Sequence, residues 1–356
     1  MATAWPTAQV KPPMRDHGFH QLRIARVVSE TADTRSFVLE VPPELAAAFA
    51  YEAGQFCTFR VPIDDQQHFR SYSMSSTPAV DTELQVTVKR VPGGVVSNWM
   101  IDTLAPGDVI ETSCPAGVFC LGPDDGDVVA FAAGSGITPV FSIVKAALAS
   151  TSRRVRVLYA NRDRDSIIFA AALERLGERH PGRLAVAHHL DVEEGFVDAD
   201  VVGPFISTGA DAEYFICGPA PFMDLVEGAL VDRHVDERRV HIERFTPPEP
   251  IPQPEPENVE ASGSRVTIEL GGRTDGVDHH PGTTILQTAR QMGMTPPSSC
   301  ESGSCATCMA KLVEGEVAMH VNNALTDDEV ADGWVLTCQS VPTSPAVRVI
   351  YGYEGE

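Results

Sequence analysis

Val128-Val129-Ala130-Phe131-Ala132-Ala133-Gly134-Ser135-Gly136-Ile137-Thr138-Pro139 is the stretch that decides how the middle of this chain folds. Six apolar residues in a row, with no polar alternation, suit a strand buried on both faces, as in a parallel sheet. Gly134 and Gly136 then allow a sharp turn and a close approach of backbone to a ligand. Pro139 fits the first turn of a helix, where its missing N–H would have no partner anyway. A strand, a glycine turn and a helix N-terminus together make a seat for a pyrophosphate, because unpaired amides and the helix dipole both favour anions. The turn alone is weak evidence, since many strand–helix connections need glycine for geometry. Its neighbours must decide.

Downstream the alternation continues. Helix Pro139–Ala149, strand Val155–Ala160, helix Ile167–Arg179, strands Leu184–Leu190 and Glu213–Cys217 and helix Pro221–Val235 are predicted in turn. That rhythm predicts an α/β domain with a parallel sheet over residues 124–246. Upstream, over 17–123, the chain reads differently. Gln21–Val28, Arg35–Val41, Gln55–Val61, Leu84–Arg90 and Val109–Ser113 are short β-rich runs broken by Gly, Pro and Asp, as expected of an antiparallel β-barrel or sandwich. A helix Ser97–Leu104 interrupts them, with Ser97 placed as its N-cap.

Residues 247–263 form a linker. Six prolines between Pro247 and Pro256 remove backbone donors and favour an extended, semi-rigid spacer. Beyond it, residues 264–356 predict a small α+β domain. Its strands are Arg265–Leu270, Gly276–His279, Met309–Val313 and Ala346–Tyr351, its helix Thr284–Met292, and a capping box sits at Thr326-Asp327-Asp328-Glu329.

Of the eight cysteines, Cys57, Cys114, Cys120 and Cys217 are scattered, while Cys300-x4-Cys305-x2-Cys308 and Cys338 gather near the C-terminus. That spacing matches plant-type [2Fe–2S] ligation, in which each iron takes two thiolates. Structural zinc usually shows two short Cys-x2-Cys pairs, and only one is present. Gly303, Ser302 and Ser304 are small enough for backbone amides to reach the sulfurs. Cys57, Cys114 and Cys120 suit barrel packing, as small hydrophobes. The pairs His188-His189 and His279-His280 have no ligand at metal spacing, so strand or surface positions are expected.

The chain carries 49 acidic and 27 basic residues, a net charge of −22. Nucleic acid would be repelled, and a basic protein partner would be steered in. Residues 264–356 alone carry twelve acids against five bases. No apolar run approaches the roughly 18–20 residues of a membrane helix, and residues 1–18 lack the apolar core and cleavage pattern of a signal peptide. The expectation is a cytoplasmic protein without a membrane partner.

Two shorter stretches carry weaker signals. In Arg70-Ser71-Tyr72-Ser73 an arginine could pair a phosphate and a tyrosine face could stack on a flat heterocycle, although the tetrapeptide could equally be strand surface. Gly93-Gly94-Val95-Val96-Ser97 precedes a helix and could cradle a phosphate.

Taken in order, these pieces resemble the ferredoxin–NADP⁺ reductase superfamily with a C-terminal plant-type ferredoxin domain. The resemblance runs from about His20 to Tyr351. It implies a multidomain protein with an FAD-binding barrel, an NAD(P)-binding α/β domain and a β-grasp ferredoxin domain. The family's R-x-Y-S motif matches Arg70, Tyr72 and Ser73, implying that Arg70 binds the FAD pyrophosphate, Tyr72 stacks on the isoalloxazine and Ser73 lies near N5. Further flavin contacts fall on Val88 and Lys89 and on Gly94, Val95, Val96 and Ser97. The nicotinamide turn falls on Gly134, Gly136, Thr138 and Pro139, and the C-G-P motif on Cys217, Gly218 and Pro219. The closing E-x-F falls on Glu243 and Phe245, with Phe245 covering the flavin until nicotinamide displaces it. Ser73 and Cys217 take the catalytic places, and Cys300, Cys305, Cys308 and Cys338 hold the metal.

Within the family, Tyr159-Ala160-Asn161-Arg162 and His241-Ile242-Glu243-Arg244-Phe245 are most similar to the branch containing the reductases of 3-ketosteroid 9α-hydroxylase and phenylacetyl-CoA epoxidase, and more to the former. The resemblance implies electron transfer from NADH, with NADPH the alternative, through FAD and [2Fe–2S] to a separate terminal oxygenase. A different class, a non-enzymatic iron–sulfur carrier or redox sensor, would need degenerate nucleotide motifs, and here they are intact.

Overall fold

The computed structural model describes residues 18–64, 66–123, 125–206, 212–245, 264–301, 303, 305–322 and 324–353. The proline segment therefore lies outside the described residues, as do Ser302 and Ser304.

Six antiparallel strands form the first sheet: β1 (Phe19–Thr31), β2 (Thr34–Glu40), β3 (Phe56–Ile63), β4 (Gln66–Ser73), β5 (Leu84–Lys89) and β6 (Val109–Ser113). Their order is β4-β3-β6-β1-β2-β5, and a bridge between Met74 and Val86 joins the two ends. The sheet thus closes into a barrel, which removes the exposed edges. Inward positions alternate along each strand, so Leu22, Ile24, Phe37, Leu39, Phe59, Val61, Val86 and Val88 form its core. Helix α1 (Val95–Thr103) plugs this core with Val96, Met100 and Ile101.

The second sheet is wholly parallel, in the order β11-β10-β7-β8-β9, from β7 (Val128–Ala133), β8 (Val155–Asn161), β9 (Leu184–Leu190), β10 (Glu213–Cys217) and β11 (Val240–Glu243). Every residue of β7 is buried, because it lies centrally with helices on both faces. Helices α2 (Ile137–Ser150), α3 (Ala170–Arg179) and α6 (Ala220–Asp232) make the crossovers, and α4 (Asp191–Glu194) and α5 (Ala199–Val202) are single turns after β9. Phe141 on α2 stacks on Phe169, centroids 4.6 Å apart.

The C-terminal sheet runs β13-β12-β18-β14-β16, from β12 (Arg265–Leu270), β13 (Arg273–Asp278), β14 (Met309–Glu314), β16 (Trp334–Leu336) and β18 (Ala346–Ile350). Only β12 and β18 pair in parallel. Helix α7 (Ile285–Gln291), opened by the Thr284–Gln287 capping box, lays Ile285 and Ala289 on Val266, Ile268, Val347 and Val349. The strands β15 (Val317–Met319) and β17 (Ser340–Pro342) pair separately, and α8 (Asp327–Ala331) starts at the expected Thr326–Glu329 box. A mixed sheet grasping one helix is the β-grasp arrangement.

Several local expectations change. Ser97 is not an N-cap: α1 begins two residues earlier, at Val95, with Gly94 as its N-cap, and the Ser97 hydroxyl accepts the Val91 N–H at 3.2 Å. Helix α3 starts at Ala170 rather than Ile167, because Phe169 adopts a left-handed conformation and halts the helix there. Cys57 and Cys114 lie in the barrel core, whereas Cys120 is half-buried outside it. His189 lies on a strand but is buried, its Nε2 2.7 Å from the Gly195 carbonyl.

Candidate functional site

The barrel and the parallel sheet meet where β4 faces the ends of β10 and β11. Ser73 closes β4, Cys217 closes β10 and Glu243 closes β11, with Cys217 and Glu243 in register. The Ser73 hydroxyl donates to Glu243 Oε2 at 2.9 Å, and both side chains are buried. Burial pushes the Glu243 carboxyl up to about 8, with the Ser73 hydrogen bond only partly offsetting it. The Cys217 thiol is pushed well up, by burial first and by Glu243 second, so it stands as a neutral thiol. A carboxyl that carries a proton near neutral pH, hydrogen-bonded to a hydroxyl, can hold and release a proton at one defined atom.

The expected nucleotide residues gather around this pair. A Cβ on Gly136 would lie 2.0 Å from the Cys217 carbonyl oxygen, so only glycine lets the turn after β7 close onto β10. Gly134 has φ +53, and its carbonyl accepts the Tyr159 hydroxyl at 3.2 Å. That hydroxyl also receives the Ile168 N–H at 3.2 Å, tying the turn to the loop after β8. Thr138 donates to the Ser135 carbonyl at 2.9 Å. Pro219 caps α6 directly after Gly218, and Phe245 stands 43% exposed just past Glu243.

On the barrel side, Tyr72 is half-buried and tilts against Phe59, ring centroids 5.8 Å apart. Arg70 is exposed, donates to the Phe69 carbonyl and has no carboxylate partner among the described residues. Lys89 extends from β5 so that its ammonium would lie 3.7 Å from a Cβ on Gly134. Val88 is fully buried beneath it. Gly94 begins α1 with no side-chain cap, Val95 is exposed, and Val96 and Ser97 are buried. Arg70, Lys89 (4.0 Å from Asp33) and the α1 N-terminus are the groups of the barrel that could meet a pyrophosphate.

Contacts that the sequence did not announce lock the two domains in this pose. Ser142 on α2 donates to the Ser76 carbonyl at 2.6 Å and accepts the Gly54 N–H at 3.3 Å. Lys145, one turn further on, pairs with Asp81. Gly54 has φ +99, and any Cβ there would lie 2.0 Å from the Phe119 carbonyl oxygen.

In the C-terminal domain the four cysteines fall into two facing pairs. Cys300 and Cys305 form one, with the Cys300 N–H 3.4 Å from Cys305 Sγ, and Cys308 and Cys338 form the other. Contact with the facing cysteine, then burial, pushes the Cys305 and Cys308 thiols well up, while Cys308 holds Cys338 below the usual thiol value. These thiols stand in for the thiolates that would bind iron. Among the described residues no three His, Cys, Asp or Glu side chains converge on a point suited to one ion. Two facing pairs are the arrangement that two bridged irons, each taking two thiolates, would need.

The loop is held open to such a group by its backbone. Glu301 and Ala306 adopt left-handed φ of 51° and 54°, each costing about 1–2 kcal/mol. A Cβ on Gly303 would lie 2.5 Å from the Val321 carbonyl oxygen. Arg290 on α7 clamps Glu301 through two hydrogen bonds of 3.1 and 2.6 Å and reaches Ser298 at 2.9 Å. Below, Thr337 donates to the Cys308 carbonyl at 2.7 Å and accepts the Tyr351 hydroxyl at 2.8 Å.

Three sequence profiles match along the chain. They describe an oxidoreductase FAD-binding domain at residues 21–120, an oxidoreductase NAD-binding domain at 131–228 and a 2Fe-2S iron-sulfur cluster binding domain at 268–343. The ferredoxin reductase component of 3-ketosteroid-9-alpha-monooxygenase from Rhodococcus rhodochrous is 39% identical, over 92% of this chain and 95% of its own. Its counterpart in Mycobacterium tuberculosis is also 39% identical, over 95% and 97%. One component of the Escherichia coli 1,2-phenylacetyl-CoA epoxidase is 33% identical, over 95% and 99%. Among solved structures, phthalate dioxygenase reductase superposes with a TM-score of 0.59 at 27% identity, covering 94% of this chain and 98% of that one. The same architecture and cofactor domains, over almost the full length of each relative, place the chain in the family of FAD-, NAD- and [2Fe–2S]-dependent ferredoxin reductases that serve as reductase components of multicomponent monooxygenases.

Proposed function

We propose that this chain draws electrons from NADH and delivers them singly to a Rieske-type terminal oxygenase acting on 3-ketosteroids. The observation that carries the steroid reading is the 39% identity, over 92% of the chain, to the 3-ketosteroid-9-alpha-monooxygenase reductase component. FAD, when bound, accepts two electrons as hydride and releases them one at a time, which joins a two-electron donor to a one-electron cluster.

The residues divide the work. Arg70, Lys89 and the N-terminus of α1, through Gly94, Val95, Val96 and Ser97, hold the FAD pyrophosphate, with Val88 as the floor. Tyr72 orients the ring. Ser73 Oγ and Glu243 Oε2 hold a proton beside it, and the neutral Cys217 thiol packs against the nicotinamide without acting as a nucleophile. Gly134, Gly136, Thr138, Gly218 and Pro219 receive the nicotinamide nucleotide, and Phe245 shields the flavin when that site is empty. Cys300 and Cys305 bind one iron, Cys308 and Cys338 the other. Domain limits at 17–123, 124–246, 247–263 and 264–356 accord with this division.

The complex with the oxygenase is transient and electrostatically steered by the acidic C-terminal domain. No helix among the described residues is long and apolar enough to cross a membrane, and no membrane partner is proposed. Eight cysteines without a disulfide among the described residues, together with an NADH donor, support a cytoplasmic setting. The test is reconstitution: purified chain, NADH and either a 3-ketosteroid 9α-hydroxylase oxygenase or a phenylacetyl-CoA epoxidase core. Hydroxylated steroid at a rate at least tenfold above the epoxidase pairing supports the reading. The reverse preference overturns it in favour of the epoxidase.

A further inference from the structure

Phe56 belongs to no core of its own domain. It opens β3, yet the barrel core proceeds without it, and its buried partners are Ala116 and Cys305 of the C-terminal loop, with Cys300 packed alongside. Phe56, Ala116 and Cys305 are 5%, 6% and 5% exposed, so this is a closed contact between domains and not a surface graze.

The barrel builds the seat deliberately. Phe56 and Ala116 exchange backbone hydrogen bonds of 2.9 Å in both directions. Gly117, at φ +111, leaves the space into which the ring fits, since a Cβ there would lie 2.7 Å from it. Two residues along the same face of β3, Thr58 Oγ1 lies 3.4 Å from Thr307 Oγ1, and Thr307 Oγ1 is itself 3.1 Å from Cys305 Sγ. An apolar point and a polar point thus fix one loop in position and rotation.

Register supplies the rest. Phe56 is paired directly with Ser73 across the β3–β4 ladder, so both side chains project from the same face. Phe56 therefore shares a face of the barrel with Ser73 while packing against a ligand cysteine. The Cys300–Cys305 pair faces the barrel, while Cys308 and Cys338 are buried among Leu286, Leu325, Trp334 and Leu336 of their own domain.

We propose that Phe56 is a positioning residue for electron transfer: with Thr58, it seats the Cys300–Cys305 side of the cluster on the flavin barrel. This rests on the functional reading above. In that reading NADH gives a hydride and becomes NAD⁺. The flavin takes the hydride with a proton, and then returns two electrons and two protons in total. Each electron in turn converts a diferric cluster to one ferric and one ferrous ion, which an external one-electron acceptor reoxidises. Phe56 touches neither hydride nor proton; it sets the gap each electron crosses.

The experiment uses the full-length holoprotein and its Phe56→Ala, Phe56→Leu and Thr58→Val variants. FAD content, the electron paramagnetic resonance signal of the dithionite-reduced cluster and both reduction potentials are compared first, and are expected to match the parent. Stopped-flow mixing with NADH then resolves flavin bleaching from cluster reduction. Flavin bleaching, KM for NADH and ferricyanide reduction should stay within twofold of the parent. Cluster reduction should slow at least tenfold in Phe56→Ala, and by about threefold in Phe56→Leu and Thr58→Val. Parent-like cluster reduction in Phe56→Ala overturns the proposal. Should that variant fail to load FAD, parent-like rates in both milder variants overturn it instead. If NADH never reduces the parent's cluster, the functional reading itself falls, a result distinct from an unaffected variant.

Discussion

The cluster loop and the Ser73–Glu243 junction are both largely buried, yet they are written into the chain in opposite ways. Three of the four cysteines lie within nine residues, and the fourth, Cys338, comes from the turn between β16 and β17 of the same domain. Ser73 and Glu243 are 170 residues apart and meet only because a barrel and a parallel sheet are locked together by Ser142 and Lys145. A group that needs fixed ligand geometry can be supplied within one small domain, most of it by one loop. A group that must accept a hydride from a second, diffusing cofactor needs a cleft, and clefts form between domains. The loop should therefore tolerate changes elsewhere, while the junction should be sensitive to both domains.

The largest expected effect tests that independence. Cys305→Ser or Cys308→Ser should abolish the cluster signal and electron delivery to an oxygenase while FAD stays bound and ferricyanide reduction persists. Loss of FAD with iron retained would show that the two sites are not separate. Next, Ser73→Ala should lower the NADH-to-ferricyanide rate by about 10²-fold, the scale of a positioned proton-handling group, with the cluster signal unchanged. A loss of less than threefold would remove Ser73 from the chemistry.

A smaller effect concerns the coenzyme. Arg162 pairs with Asp163 at 2.8 Å, Arg164 reaches Glu193 at 3.4 Å, and Asp163 caps the turn that follows β8. Carboxylates already engage both cations that could meet a 2′-phosphate, so kcat/KM should favour NADH by about tenfold, or about 1.4 kcal/mol. Preference for NADPH would redirect mutation to Arg162 and Arg164.

A separate effect is a stability trend with pH. Burial pushes the Glu243 carboxyl up to about 8, against an ordinary 4.5. Its raised value means that the folded state binds the extra proton, so the stabilisation is complete below the unfolded pKa and is lost as pH rises towards 8. Glu243→Gln, neutral at every pH, should match the parent near pH 5 and gain on it by at most about 1.4 kcal/mol per pH unit up to pH 8. Equal pH profiles in thermal melts would place the charge of Glu243 in a solvated site.

What the sequence made legible was periodic or local: the unbroken apolar run of β7, the Gly134–Gly136 turn, the cysteine spacing and the Thr326–Glu329 capping box. Ser97 misled because a serine before a helix resembles a cap, while its hydroxyl serves the preceding turn at Val91. Strand β4 and the short strands β15 to β17 carry too few β-branched or alternating residues to stand out, and are held by their partners. Phe56 looked like any aromatic at the start of a strand. Nothing in periodicity links it to Cys305, and only the docked domains reveal that its neighbours belong to another fold unit.

The most direct measurement is an anaerobic titration of the full-length holoprotein with NADH, following flavin absorbance and the cluster's electron paramagnetic resonance signal in the same samples. The flavin should bleach and the cluster signal should rise to the level dithionite gives. A flavin that bleaches fully while a dithionite-reducible cluster stays silent would contradict it.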